Sequence, residues 1–277
     1  MQSILVGVDG SPAGDAARDL GLRWARRCDA LLVGLGVVDQ PSITRPESVP
    51  LGGGAFGGHR DEVRLTRARR QVEEFLQRFA LRAGEAGVAH KLLEETGSPL
   101  EVLTREAQRF DLVVLGRQTH FHFATQQGPD DVLAKLLKNP PRPVVAVPET
   151  PVPESSTAVV AYDGSLQAAR ALFALRASGL ADGAEVHIVA VGSDHVEVGR
   201  HADRAVDFLL FHDVRATRHV VSPEPSVAEA LLHQAAAVDA GLLVMGCYGQ
   251  PALRELFLGS VTATLLKQSP LPLFLYQ

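Results

Sequence analysis

A chain of 277 residues is long enough for two domains of ordinary size, each able to bury a core without disulfides or metals. With 46% hydrophobic and 21% charged residues the composition is globular and excludes a disordered chain, and a net charge of −5 argues against a chain-wide surface for nucleic acid or an anionic membrane. Cys28 and Cys247 offer no disulfide framework, the first apolar run is broken at Asp9, and no run reaches the ~18 apolar residues of a membrane span, so a cytoplasmic protein is expected.

The chain opens on ILVGVDGSPAGDAARDL (Ile4–Leu20), read as a strand ending at Asp9 and a helix with Ser11 as N-cap and Pro12 as first residue. LVGLGVVD (Leu32–Asp39) is a second strand, with Val37 near its end. The Gly- and Pro-rich stretch Gln40–Glu62 reads as a mobile surface loop. Leu65, Ala68, Val72, Phe75, Leu76 and Phe79 then recur at helical spacing. The strand DLVVLG (Asp111–Gly116) follows, and this part of the chain closes on the apolar VVAVP. PETPVPESST (Pro148–Thr157) suits a semi-rigid linker.

The same order is then written again. AVVAYDGSLQAARAL (Ala158–Leu172) repeats the opening, with Asp163 in the place of Asp9 and Ser165 ready to cap the matching helix. VHIVAVGSD (Val186–Asp194) puts Val191 opposite Val37, and GLLVMG (Gly241–Gly246) answers DLVVLG. Val227, Ala230, Leu231, Ala235 and Val238 form a helical pattern, and LLKQSPLPLFLYQ answers LLKNPPRPVVAVPE. Apolar strands separated by helices imply an α/β fold with a parallel sheet covered on both faces. The expected organisation is two such domains, residues 1–150 and 151–277. Both end in short apolar strands, which as exposed edges tend to find partners.

Glycines at 246, 249 and 259 give the spacing G-x-x-G-x9-G after a strand, followed by Ser260, Val261 and a helical pattern. In open α/β sheets, ligands collect at the carboxyl ends of strands. Glycine N–H groups, a helix start and a hydroxyl together suit a phosphate. Turn glycines with a capping Ser260 fit the spacing equally well. The pattern is neither a Walker A loop nor a dinucleotide fingerprint, since no Lys follows the last glycine and the first strand leads into VDGSP or YDGSL.

V-D-G-S after strand one, a Val ending strand two and G-x-x-G-x9-G-[ST] after strand four resemble the universal stress protein family, over nearly the whole chain and in both repeats. The resemblance implies tandem open parallel-sheet domains of the Rossmann-like, adenine nucleotide alpha hydrolase-like kind, paired as a pseudo-dimer within the chain. It implies ATP, with Mg2+, as ligand of the second domain. There Gly246, Gly249, Gly259, Ser260 and Val261 would hold the phosphates, and Asp163 and Val191 the nucleoside. Where family members often have Ser-His between the first two glycines, this chain has Cys247 and Tyr248. Cys247 is expected as a buried, inert thiol, although nearby N–H donors would lower the pKa of an accessible one.

The first domain departs from the pattern. Gly116, Asp9 and Val37 are kept, but Thr119 replaces the second glycine, Gly128 comes one residue early, and Pro129, Asp130 and Asp131 follow it. Proline has no N–H, and two carboxylates repel phosphate at a helix start. Weak ATP binding or none is expected there. His120 and His122 beside those acids form no convincing metal set. Arg60, Arg64, Arg67, Arg69 and Arg70, interleaved with Asp61, Glu73 and Glu74, read as a solvated helix face. No general base stands in the glycine motif, so a regulatory nucleotide-binding module and not an enzyme is expected. The alternatives are a pairing protein that binds no nucleotide and a slow ATPase. Homodimerisation stays open; no nucleic acid or membrane partner is expected.

Overall fold

The computed structural model describes residues 1–45, 54–121, 132–150, 152, 154–247 and 259–277. The first half runs β1 (Ser3–Gly7), α1 (Pro12–Cys28), β2 (Leu31–Val38), α2 (Gln40–Ile43), α3 (Gly54–Glu85), β3 (His90–Thr96), α4 (Pro99–Ala107), β4 (Leu112–Gly116), α5 (Val132–Leu136) and β5 (Val144–Val147). The second runs β6 (Thr157–Ala161), α6 (Leu166–Ser178), β7 (Glu185–Val191), α7 (His195–Leu210), β8 (Ala216–Val221), α8 (Val227–Ala237), β9 (Leu242–Gly246), α9 (Ser260–Gln268) and β10 (Leu273–Tyr276).

The helix starts follow their sequence signals. Ser11 Oγ accepts the Gly14 N–H at 3.0 Å with Pro12 behind it, and Ser165 Oγ accepts the Ala168 N–H at 3.1 Å. One expectation fails: Gln40–Glu62 is not a loop throughout. Asp39 caps the short α2, and α3 is already helical from Gly54. The buried stripe Ala68, Val72, Leu76 and Phe79 anchors α3 against the sheet. Extending a helix from such a nucleus adds a hydrogen bond per residue, which offsets glycine's poor propensity of about 1 kcal/mol.

The ten strands form one sheet in the order β3-β2-β1-β4-β5-β10-β9-β6-β7-β8. Within each half all pairing is parallel. The halves meet where β10 lies antiparallel to β5, with Leu273 opposite Ala146 and Leu275 opposite Val144. β4 and β5 are buried along their whole length, as the unbroken apolar runs require. One face of the sheet packs residues of α1, α3, α6 and α7, the other those of α4, α5, α8 and α9. In each half the chain order reverses between the first and fourth strands, β1 and β4 or β6 and β9, and the candidate residues gather at those strand ends.

Candidate functional site

In the second half Asp163 follows β6 and is exposed, with Oδ1 accepting, among the described residues, the Ser165 N–H at 3.0 Å. Val191, at the end of β7, is half-buried. Gly246 ends β9, where a methyl group would lie 2.5 Å from the Gln167 carbonyl carbon and 2.6 Å from the Ala168 nitrogen. This glycine therefore has a packing duty: it lets α6 approach the strand end.

Gly259 is different. Its φ of −50° suits any residue, and the only heavy atom near its added methyl among the described residues is Thr262 Oγ1, at 4.0 Å. Neither backbone strain nor crowding there demands glycine. Gly259 is the N-cap of α9, and among the described residues no side chain caps that helix. Ser260, at the first helical position, is exposed, and Val261 beside it is half-buried. Ser260 thus does not cap the helix, as the turn-and-cap reading required. Among the described residues the first N–H groups of α9, which carry the positive end of the helix dipole, have no acceptor. The middle glycine, Gly249, lies outside the described residues, as does Tyr248.

The first half has the same frame with a different filling. Asp9 is 3% exposed. Its Oδ1 accepts from the Ser11 hydroxyl at 2.7 Å and the Ser11 N–H at 3.1 Å, and its Oδ2 from the His120 N–H at 2.7 Å. Burial raises its pKa despite these bonds. Phe121, fully buried, stands close against Gly7 at the end of β1, with its Cζ 3.1 Å from where a methyl group would sit. Val37 is fully buried too. Gly116 faces the same demand as Gly246, since a methyl group on it would lie 2.6 Å from the Ala13 carbonyl oxygen. Gly116 is kept for helix packing whether or not a ligand binds.

Phe121 and the His120 N–H were not singled out as site residues by the sequence, because their effect arises from contact with β1 across more than a hundred residues. Another pair was missed as well: Phe75 of α3 lies over Gly10, and His201 of α7 over Gly164, both glycines having positive φ (73° and 79°). Cys247 is fully buried, its N–H bonded to Tyr276 O, and burial pushes its thiol up to about 12. The activated-thiol alternative is thereby removed. Arg117, next to Gly116, reaches into the other half and donates to Ser269 O at 2.6 Å and Leu271 O at 2.5 Å. Burial lowers its pKa to about 10, still charged at neutral pH.

Among the described residues no group of three His, Cys, Asp or Glu side chains suits a metal. His122, Asp130 and Asp131 fall outside that set, as do Gly128 and Pro129. The arginine-rich face of α3 carries ion pairs, Arg70 with Glu74 at 3.2 Å and Arg60 with Asp61 at 3.4 Å. No helix of the described residues is long and apolar enough to cross a membrane.

A doubled α/β sheet with a crevice at each reversal of strand order defines a two-domain Rossmann-like protein. The chain belongs to the universal stress protein family, whose family model matches it twice, over residues 1–148 and 155–277. A curated relative, universal stress protein Slr1230 of Synechocystis, is 23% identical over 288 residues and covers both chains completely. Among solved structures, a universal stress protein of Archaeoglobus fulgidus superposes with a TM-score of 0.73 at 17% identity, covering 99% of this chain and 98% of its own. A functionally unknown protein of Pseudomonas aeruginosa, PA1789, gives a TM-score of 0.60 at 16% identity, covering 100% and 92%.

Proposed function

We propose that the protein is an ATP-binding stress-response module that holds its nucleotide in the second half. The reading rests on one contrast between the halves: among the described residues the helix start at Gly259 has no side-chain cap and Asp163 after β6 is exposed, whereas in the first half Phe121 packs against Gly7 and the His120 N–H is bonded to Asp9. Those residues suit the ligand chemically. The N–H groups of Gly259, Ser260 and Val261, with the Ser260 hydroxyl, are donors for phosphate oxygens, and Gly246 and Gly249 complete the motif. The Asp163 carboxylate accepts from ribose hydroxyls, and the backbone near Val191 meets the base. Mg2+ would accompany the phosphates.

The module is regulatory in this reading, since the motif brings no general base to activate water. The first half serves as structural partner, joined through β5 and β10 as an intramolecular counterpart of a two-chain assembly. Substituting Gly259→Val together with Ser260→Ala tests the site. The double variant should keep its thermal midpoint and lose ATP affinity by roughly tenfold or more, since it deletes the charge-assisted hydrogen bond of the Ser260 hydroxyl and puts a valine side chain against the phosphates. Unchanged affinity in a calorimetric titration would overturn the proposal.

A further inference from the structure

One edge of the sheet carries a run of polar groups that the fold itself does not demand. Among the described residues the edge strand β8 pairs with β7 alone. On the face covered by α8, His187 Nδ1 lies 2.8 Å from His219 Nε2. His187 Nε2 lies 3.1 Å from Glu185 Oε1, and His219 Nδ1 3.3 Å from Gln234 Nε2 of α8. His187 is 5% exposed and His219 half-buried. The first half builds the same joint from apolar residues. With Val37 in the place of Val191, the strand registers set Val33 in the place of His187 and Leu93 in that of His219. Val33 is buried and Leu93 packs on the core. Two imidazoles at these positions therefore serve something other than packing.

The network fixes the protons. Glu185 takes the Nε2–H of His187, which leaves Nδ1 to accept the His219 Nε2–H, and His219 Nδ1 accepts from the Gln234 amide. Every ring nitrogen then has a partner with both imidazoles neutral. One proton can be taken at His219 Nδ1, because the Gln234 amide can turn its oxygen to meet it. A second cannot be accommodated. It would put an N–H on each of two nitrogens 2.8 Å apart and set two cations side by side away from full hydration. Among the described residues Glu185 is the charged group bonded to the pair. β6 sets Val159 and β8 sets Thr217 beside His187. α8 buries Leu231 and Ala235 and leaves Glu229 and His233 exposed, and Arg218 of β8 pairs on the other face with Asp203 of α7 at 2.8 Å. Burial, and then the neighbouring His187, hold the His219 pKa below the ordinary 6.5. Such a group takes up its proton on opening, so its hold is complete above 6.5 and is lost as pH falls through the lowered value.

We propose that His187 and His219 form an acid-sensitive latch: with at most one shared proton they hold β8 and α8 on the sheet, and when both are protonated this edge opens while the rest of the chain stays folded. An edge strand bonded on one side is the element that such repulsion can release without breaking the core.

Hydrogen exchange of the full-length protein tests this, read by peptide mass across a pH series and corrected for the pH dependence of intrinsic exchange. Protection of peptides covering β8 and α8 should fall by up to about tenfold per pH unit below about pH 6, the slope of one extra proton taken up on opening. Peptides of β1, β2 and β4 should keep theirs. In the His187→Val, His219→Leu variant, which copies the first half, the β8 and α8 peptides should lose this pH dependence. A wild type without that fall, a fall spread equally over both halves, or one that survives in the variant would overturn the proposal. Should the variant not fold, NMR titration of the wild-type imidazoles decides. Two protonation steps separated by more than about one pH unit are expected, and a single step common to both rings would overturn the latch.

Discussion

Asp9 and Asp163 occupy the same place in the two halves, yet Asp9 is buried with its carboxylate shared between Ser11 and the His120 N–H, while Asp163 is exposed and, among the described residues, bonded to the Ser165 N–H alone. Each lies in the same D-G-S turn ahead of a helix capped in the same way. In the first half the segment after β4 brings the His120 N–H onto Asp9 and Phe121 against Gly7.

The two aspartates should therefore answer substitution differently. Asp9→Ala leaves the His120 N–H and the Ser11 groups without their acceptor, at about 1–3 kcal/mol per buried donor, and should lower stability with nucleotide binding little changed. Asp163→Ala should leave stability within about 0.5 kcal/mol and weaken ATP binding by roughly tenfold or more. Unfolding midpoints and calorimetric titration of both variants would show a swapped pattern if the halves had been assigned wrongly.

The glycines divide in the same way. Gly116→Ala and Gly246→Ala push a methyl group into the backbone of α1 and α6, so each should cost about 1–3 kcal/mol through overpacking. Gly259→Ala meets, among the described residues, only Thr262 Oγ1 at 4.0 Å and should be nearly neutral for folding. Equal losses at all three positions in urea unfolding would refute this division.

Much of the fold was legible because its signals are local. Strand runs such as LVVLG and VVAV, the Ser11-Pro12 start and the spacing of Ala68, Val72, Leu76 and Phe79 state their structures directly, and the repetition of the whole pattern exposed the two halves. The apolar VVAVP and LFLYQ suggested edges in need of partners, and β5 and β10 pair with each other. The long α3 was misjudged at its start, because glycines at 54, 57 and 58 mask a helix propagated from a buried stripe further on. Nothing local distinguishes Asp9 from Asp163. The plug at Phe121 and the close approach at Gly116 and Gly246 depend on contacts between distant segments, which spacing does not report.

Asp9 also makes a prediction about pH. Burial raises its pKa in the folded protein above the ordinary 3.8. As pH rises past 3.8 the unfolded chain ionises first, so this stabilising contribution, full below that value, is lost as pH climbs through the folded pKa. Asp9→Asn keeps an acceptor for Ser11 and removes the ionisation. Its stability relative to the wild type should thus improve from acid to neutral pH in a series of urea melts, and a constant difference would contradict the assignment.

The cysteines give a further check. Cys247 is fully buried with its thiol pushed up to about 12, whereas Cys28 at the end of α1 is half-buried. Iodoacetamide at mildly alkaline pH should label Cys28 in the native protein and spare Cys247 until the chain unfolds. Prompt native labelling at Cys247, seen by peptide mass mapping, would mean that the strand end, where the Cys247 thiol donates to Leu137 O at 3.8 Å and its N–H to Tyr276 O, is not packed this way.

The most direct test of the central claim is to saturate the purified protein with ATP and Mg2+, remove the free ligand, denature the protein and measure the nucleotide released per chain. A single adenine nucleotide per chain, lost in the Gly259→Val, Ser260→Ala variant, is the predicted result. Two per chain, or one that survives that double substitution, would contradict the assignment of the site to the second half, and none would contradict nucleotide binding altogether.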